Sequence, residues 1–191
     1  MADDLHARHE RFRAISEAFH LGDLARLREA LGNPAGFPKE PLPLDVFGPA
    51  GSVLEYAIYH SPLAFIQALL ELGADPNPPS AQHAGFPPLL AALTKLNTRS
   101  GSQARTDVPD LLRLLLRYGA DPNQRGLNDW TALHMAAHER SGEAIRILVD
   151  AGADPTLRTR IDDCLTPREE AERAGNHEIA SLLAELEGSG T

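Results

Sequence analysis

Apolar residues recur along this chain at counts that trace one face of a helix, in the same form at three places. Phe65, Ile66, Leu69 and Leu70, then Leu111, Leu112, Leu115 and Leu116, then Ala144, Ile145, Leu148 and Val149 stand at i, i+1, i+4 and i+5, the spacing of an apolar stripe on an α-helix. Each stripe runs into the same phrase: Gly73-Ala74-Asp75-Pro76-Asn77, Gly119-Ala120-Asp121-Pro122-Asn123 and Gly152-Ala153-Asp154-Pro155-Thr156. A glycine there suits the left-handed residue that closes a helix. A second set of helices is predicted ahead of the stripes. With Thr131 as position zero, the equivalent residues are Ser52, Pro87 and Thr166, with a degenerate copy starting at Arg13. Ser52, Thr131 and Thr166 have hydroxyls that cap a helix start, Pro167 fits a first turn, and Pro87 has no capping group. Five positions on stand Ala18, Ala57, Ala92, Ala136 and Ala171, a small side chain where two helices approach closely.

Each unit is therefore a helix, a short turn, an antiparallel helix and a looped connection, too small to bury its own apolar face, so neighbouring units must stack to make a core. The pattern predicts a single domain over 1–187. It comprises an N-terminal helical cap at 1–33, a proline-rich loop at 34–50, repeats at 51–77, 85–123, 129–156 and 164–187, and a disordered tail at 188–191. Leu42, Leu44, Val46 and Phe47 are expected to pin the loop to the core. The second unit is longer than the others by a polar stretch at 97–107, expected to be an excursion from the turn between its two helices. Arg168, Glu169 and Glu170 replace apolar residues at the start of the last unit, as expected of a stack's end.

Composition narrows the function classes. The net charge is −9, and neither half is basic, which argues against nucleic acid and membrane surfaces as partners. The charged start lacks the apolar stretch of a signal peptide, and the one cysteine, Cys164, forms no internal disulfide; both point to the cytoplasm. No apolar run reaches the roughly 18 residues of a membrane span.

A second phrase, Thr131-Ala132-Leu133-His134-Met135-Ala136-Ala137, stands ten residues after Asp121. Together with the Gly-Ala-Asp phrase and the 33-residue step from Gly119 to Gly152, it resembles the ankyrin repeat family. The resemblance implies an all-α ankyrin-repeat solenoid: stacked helix-turn-helix units with hairpin-like connections, about four repeats plus an N-terminal helical pair. It also implies a non-catalytic protein-protein interaction module, an adaptor, scaffold or inhibitor that binds a protein partner through its concave face, as a monomer and without a cofactor. That face is built from the connection tips and the exposed side of each first helix. Carried over, it comprises Tyr59 and His60; Phe86, Thr94 and Lys95; Leu127, Asn128, Trp130, His138 and Glu139; and Leu165 and Arg173. Phe86 and Trp130 share one count in adjacent units, and exposed aromatics are what binding hot spots use; the other reading is that they cover the next connection.

The alternative is a metal-dependent enzyme using His134 and His138, whose spacing of four puts two imidazoles on one helix face. Against it, no glutamate follows His134 as a His-Glu-x-x-His motif requires, and the resemblance gives His134 a structural hydrogen bond to the neighbouring connection. Cys164 reads as a partly buried structural thiol, and Asp162-Asp163 as solvated carboxylates. The chain has no glycine-rich phosphate loop, nucleophile elbow or cysteine pair.

Overall fold

The computed structural model describes residues 2–43, 46, 51–79, 86–94, 105–161 and 163–189. The chain divides into two compact units, residues 1–88 and 89–191. Among the described residues the regular structure is helical, apart from one isolated bridge between Pro41 and Ser52. None of these helices is long and apolar enough to cross a membrane.

The first unit holds α1 (Ala2–Leu21), α2 (Leu24–Ala30), α3 (Val53–His60) and α4 (Leu63–Glu71). α1 packs on α2 and α3, and α3 on α4. Ile15, Phe19, Leu27, Leu54, Ile58, Phe65, Ile66 and Leu69 are buried there, and Phe19 meets Phe65 edge-on at 6.0 Å between ring centroids. The first helix does not start at Arg13. It starts at Ala2, because the sequence offers no glycine or proline before Gly22, where φ is +67°. Its residues from Leu5 to Ala14 are largely exposed. In the proline-rich segment Leu42 is buried and Val46 half-buried, while Leu44 and Phe47 lie outside the described residues.

The second unit holds α5 (Pro88–Thr94, from Leu89 onward), α6 (Val108–Arg117), α7 (Ala132–His138), α8 (Gly142–Asp150), α9 (Pro167–Arg173) and α10 (His177–Ser189). α7 packs on α8 and α9, α6 on α8, α9 on α10 and α8 on α10. This makes an inner row of α7 and α9 and an outer row of α6, α8 and α10. Ala18, Ala57, Ala92, Ala136 and Ala171 are all buried, as their shared register predicts. Their side chains leave room where a longer one would push helices apart.

The recurring phrase is one backbone device made three times. Gly73, Gly119 and Gly152 have φ of +88°, +87° and +91°. The next alanine amide turns back to the leucine carbonyl five residues earlier, from Ala74 to Leu69, Ala120 to Leu115 and Ala153 to Leu148, which closes each helix. The aspartate then accepts from the amide two residues on, at 2.8 Å in each copy: Asn77, Asn123 and Thr156. That Asx turn launches the connection.

Of the polar stretch at 97–107, residues 97–104 lie outside the described residues. Arg105 and Asp107 are anchored: the guanidinium donates to the carboxylate at 2.7 and 2.8 Å just before α6, and holds the Asp107 pKa below its ordinary value. At the C-terminus α10 continues through Gly188 to Ser189, so the helix overruns the expected start of the tail; Gly190 and Thr191 lie outside the described residues.

Candidate functional site

The site is built where the connections meet the inner helices. At the start of α7, Thr131 offers its amide and hydroxyl to His134 Nδ1, at 3.2 and 2.9 Å. An amide can only donate, so Nδ1 is the unprotonated nitrogen and Nε2 carries the proton. Nε2 in turn donates to the Leu165 carbonyl at 3.0 Å, in the next connection. The buried ring is held neutral, with its pKa lowered chiefly by burial. Both nitrogens are thus committed to the fold.

The same count in the first unit is Glu55, which is also buried. There Glu55 Oε1 accepts from the Phe86 amide at 2.7 Å, and burial raises the carboxyl pKa. The pairing spans 31 residues in both cases, but the tip shows an N–H to glutamate and a C=O to histidine.

Sequence reasoning missed two further links of that span. Asn123 Oδ1 accepts from the Asp154 amide at 2.8 Å, and its Nδ2 donates to the Gly152 carbonyl at 3.1 Å. Asp129, whose side chain is 9% exposed, accepts from the Arg160 amide at 2.6 Å, from the Arg160 guanidinium at 2.5 Å, and from Arg125 at 2.6 Å. These partners, Arg160 first, lower the Asp129 pKa to about 2. Asn128 and Asp129 carry φ of 55° and 60°, a conformation asparagine and aspartate tolerate better than most residues, and this turn aims the carboxylate at the next connection.

Around this frame, Asn128, Trp130, His134, Thr159, Ile161, Asp163, Leu165, Glu170 and Arg173 line a pocket of about 180 Å³. Of the residues expected on the binding face, it gathers Asn128, Trp130, Leu165 and Arg173. The Trp130 ring is half-buried, stacked over His134 at 6.4 Å and tilted against the exposed His138 at 5.3 Å. Glu139 is half-buried at the end of α7; burial raises its pKa, partly offset by His138.

Three copies of the ankyrin-repeat model match residues 102–190. Residues 102–190 are ankyrin repeats. An ankyrin repeat-containing protein of Treponema pallidum is 49% identical over 49 residues, 26% of this chain and 16% of that protein. Potassium channel KOR1 of Oryza sativa subsp. japonica is 39% identical over 80 residues, 42% of this chain and 9% of the channel. The mitochondrial disaggregase of Bos taurus is 39% identical over 69 residues, 36% of this chain and 10% of the enzyme. The chain therefore spans only a small part of each of these relatives. Ankyrin repeats as a family are protein-protein interaction modules, typically without catalytic activity.

The remaining expected face residues divide as follows. Thr94, at the end of α5, donates its hydroxyl to the Ala91 carbonyl at 2.8 Å. Leu127 opens the turn ahead of Trp130, in which Asn128 has the non-helical φ of 55°; its side chain, like Lys95, lies outside the described residues. In the first unit Tyr59 and His60 are half-buried at the end of α3, where His60 lies 4.3 Å from Tyr56 and 5.4 Å from His20 of α1 between ring centroids. Phe86 is half-buried and contributes its amide to Glu55, as above.

Two expectations need correction or restriction. Cys164 is exposed, in the connection ahead of α9, where its φ is 51°. Among the described residues no three His, Cys, Asp or Glu side chains assemble as metal ligands. His134 is spoken for on both nitrogens, which removes the main ligand of the metal-enzyme alternative.

Proposed function

We propose that the second unit binds a protein partner through the face carrying Trp130, with Asn128, His138, Glu139, Leu165 and Arg173 around it, and that the chain acts without catalysis as an adaptor, scaffold or inhibitor. The observation that carries this reading is the pocket beside Trp130. Its scaffold residues, His134 and Asp129, spend their hydrogen bonds on the fold, while its rim residues Asn128 and Arg173 keep exposed side chains. A half-buried aromatic with a polar surround is the layout of an interface with an apolar centre and a polar rim. The proposed setting is a cytoplasmic monomer with neither nucleic acid nor membrane as partner.

Quantitative capture from a source lysate tests it, with the wild-type chain, Trp130→Ala and Arg117→Ala as baits. Arg117 is exposed on α6 in the outer row. We expect Trp130→Ala to weaken the specific partner by about 2 kcal/mol or more, with little loss of thermal stability, and Arg117→Ala to bind normally. Binding that survives Trp130→Ala and fails with Arg117→Ala would place the functional face on the outer row.

A further inference from the structure

The charges of the pocket beside Trp130 say what kind of side chain it takes. Its lining holds two carboxylates, Asp163 and Glu170, and one cation, Arg173. Arg173 spans them, donating Nη1 to Asp163 and Nη2 to Glu170, the latter at 2.9 Å. The two acids are unlike. The Asp163 side chain is 65% exposed and that of Arg173 is 56% exposed, whereas that of Glu170 is 12% exposed. An ion pair as wet as Arg173 with Asp163 is worth little, so the contact with Glu170 is what holds Arg173 in the pocket. Glu170 is largely withdrawn from water and acts on the neighbouring His134 imidazole, so a carboxylate left there without a cation is unfavourable. Across the lining, Trp130 offers an aromatic face that attracts cations, and Thr159, Ile161 and Leu165 offer carbon to an aliphatic stem.

We infer that this pocket seats one cationic side chain of the partner, an arginine in preference to a lysine, which displaces Arg173 as the counter-charge of Glu170 and lies along Trp130. This rests on the reading that the Trp130 face docks a protein. A guanidinium is preferred because it is planar, stacks on an aromatic ring and presents paired donors to one carboxylate. Arg173 is then a resident stand-in, covering the seat until the partner's own guanidinium arrives.

The probe is a capped pentapeptide with one central arginine among alanines, compared with the same peptide carrying citrulline or glutamate at that place. Each is titrated into the full chain, followed by the indole N–H resonance and fluorescence of Trp130, the only tryptophan. The arginine peptide should give a saturable response, and citrulline should weaken it about tenfold or more. Glu170→Gln should abolish the response, and Arg173→Ala should strengthen it several-fold by removing the competitor. If Glu170→Gln fails to fold, the Arg173→Ala arm decides. Weaker binding by Arg173→Ala, or a glutamate peptide binding in place of arginine, overturns the inference: Arg173 is then the recognition group, the partner's contact is acidic, and the docking reading stands. No saturable response to any peptide also overturns the inference and leaves the docking reading to the capture experiment.

Discussion

His134 Nε2 and the Leu165 carbonyl, 3.0 Å apart, join the start of one inner helix to the connection ahead of the next. The ring that makes this bond receives the Thr131 amide on its other nitrogen, so a single imidazole both caps its own helix and ties it to its neighbour.

Removing that imidazole should therefore cost more than a surface contact. His134→Ala leaves the Thr131 amide without a partner and takes away one of the two donors to the Leu165 carbonyl, which keeps the Thr159 amide at 3.0 Å; we expect a loss of about 1–3 kcal/mol, measured by chemical unfolding. The pH response has a definite sign. The folded pKa is depressed from 6.5, so this contribution is complete above 6.5. It declines as the pH falls from there through the folded value, because the unfolded chain takes up the proton first. Melting curves from pH 8 to pH 5 should show His134→Ala lacking that part of the decline.

Asp129 predicts a separate acid limb. Its pKa falls from 3.8 unfolded to about 2 folded, so its stabilisation is present above 3.8 and is lost as the pH drops towards 2. Asp129→Asn should flatten the melting temperature between pH 4.5 and pH 2 and lower it at neutral pH. An unchanged acid limb in this variant would mean that the links to Arg125 and Arg160 are idle in solution.

The alanine register is tested by enlargement. Ala136→Leu should overpack the contact between α7 and its neighbours by about 1–3 kcal/mol. The same change at Ala174, exposed at the end of α9, should do little. Equal melting shifts at the two positions would refute the register.

Deleting residues 97–104 while keeping Arg105 and Asp107 should preserve cooperative unfolding, since closure entropy grows only logarithmically with loop length. Adding Arg105→Ala should then loosen the start of α6, seen as faster amide exchange at Leu111 and Leu112. A shortened chain that unfolds without cooperativity would show the deleted stretch to be structural.

What the sequence made legible and what it hid have physical causes. The stripes, the closing glycines and the buried alanines follow from local periodicity and steric need, so five equivalent alanines read as one site. The length of α1 was hidden because a repeat register marks where an equivalent copy begins, while a helix continues until something stops it, here Gly22. Asp129 and Asn123 were hidden because their partners lie in the following connection, and no local pattern marks a side chain that reaches across. Cys164 was misread because its exposure depends on how the connection lies on the fold, which the flanking residues do not announce. Trp130 and Arg173 were selected by register, but their shared pocket with Asp163 and Glu170 depends on how two connections approach each other.

The opposite polarity of the Glu55 and His134 links bears on how such a chain can be rearranged. A glutamate asks the following tip for an N–H, and a histidine in this tautomer asks it for a C=O. Units that agree in every helix are then keyed to their own successors. Transplanting the α3 and α4 pair in front of the Leu165 connection would set the buried Glu55 carboxyl against a carbonyl in place of an N–H, where it bonds only by taking up a proton. Duplication or shuffling of copies is therefore filtered at the seams, so their order along the chain is constrained even where their shapes are interchangeable.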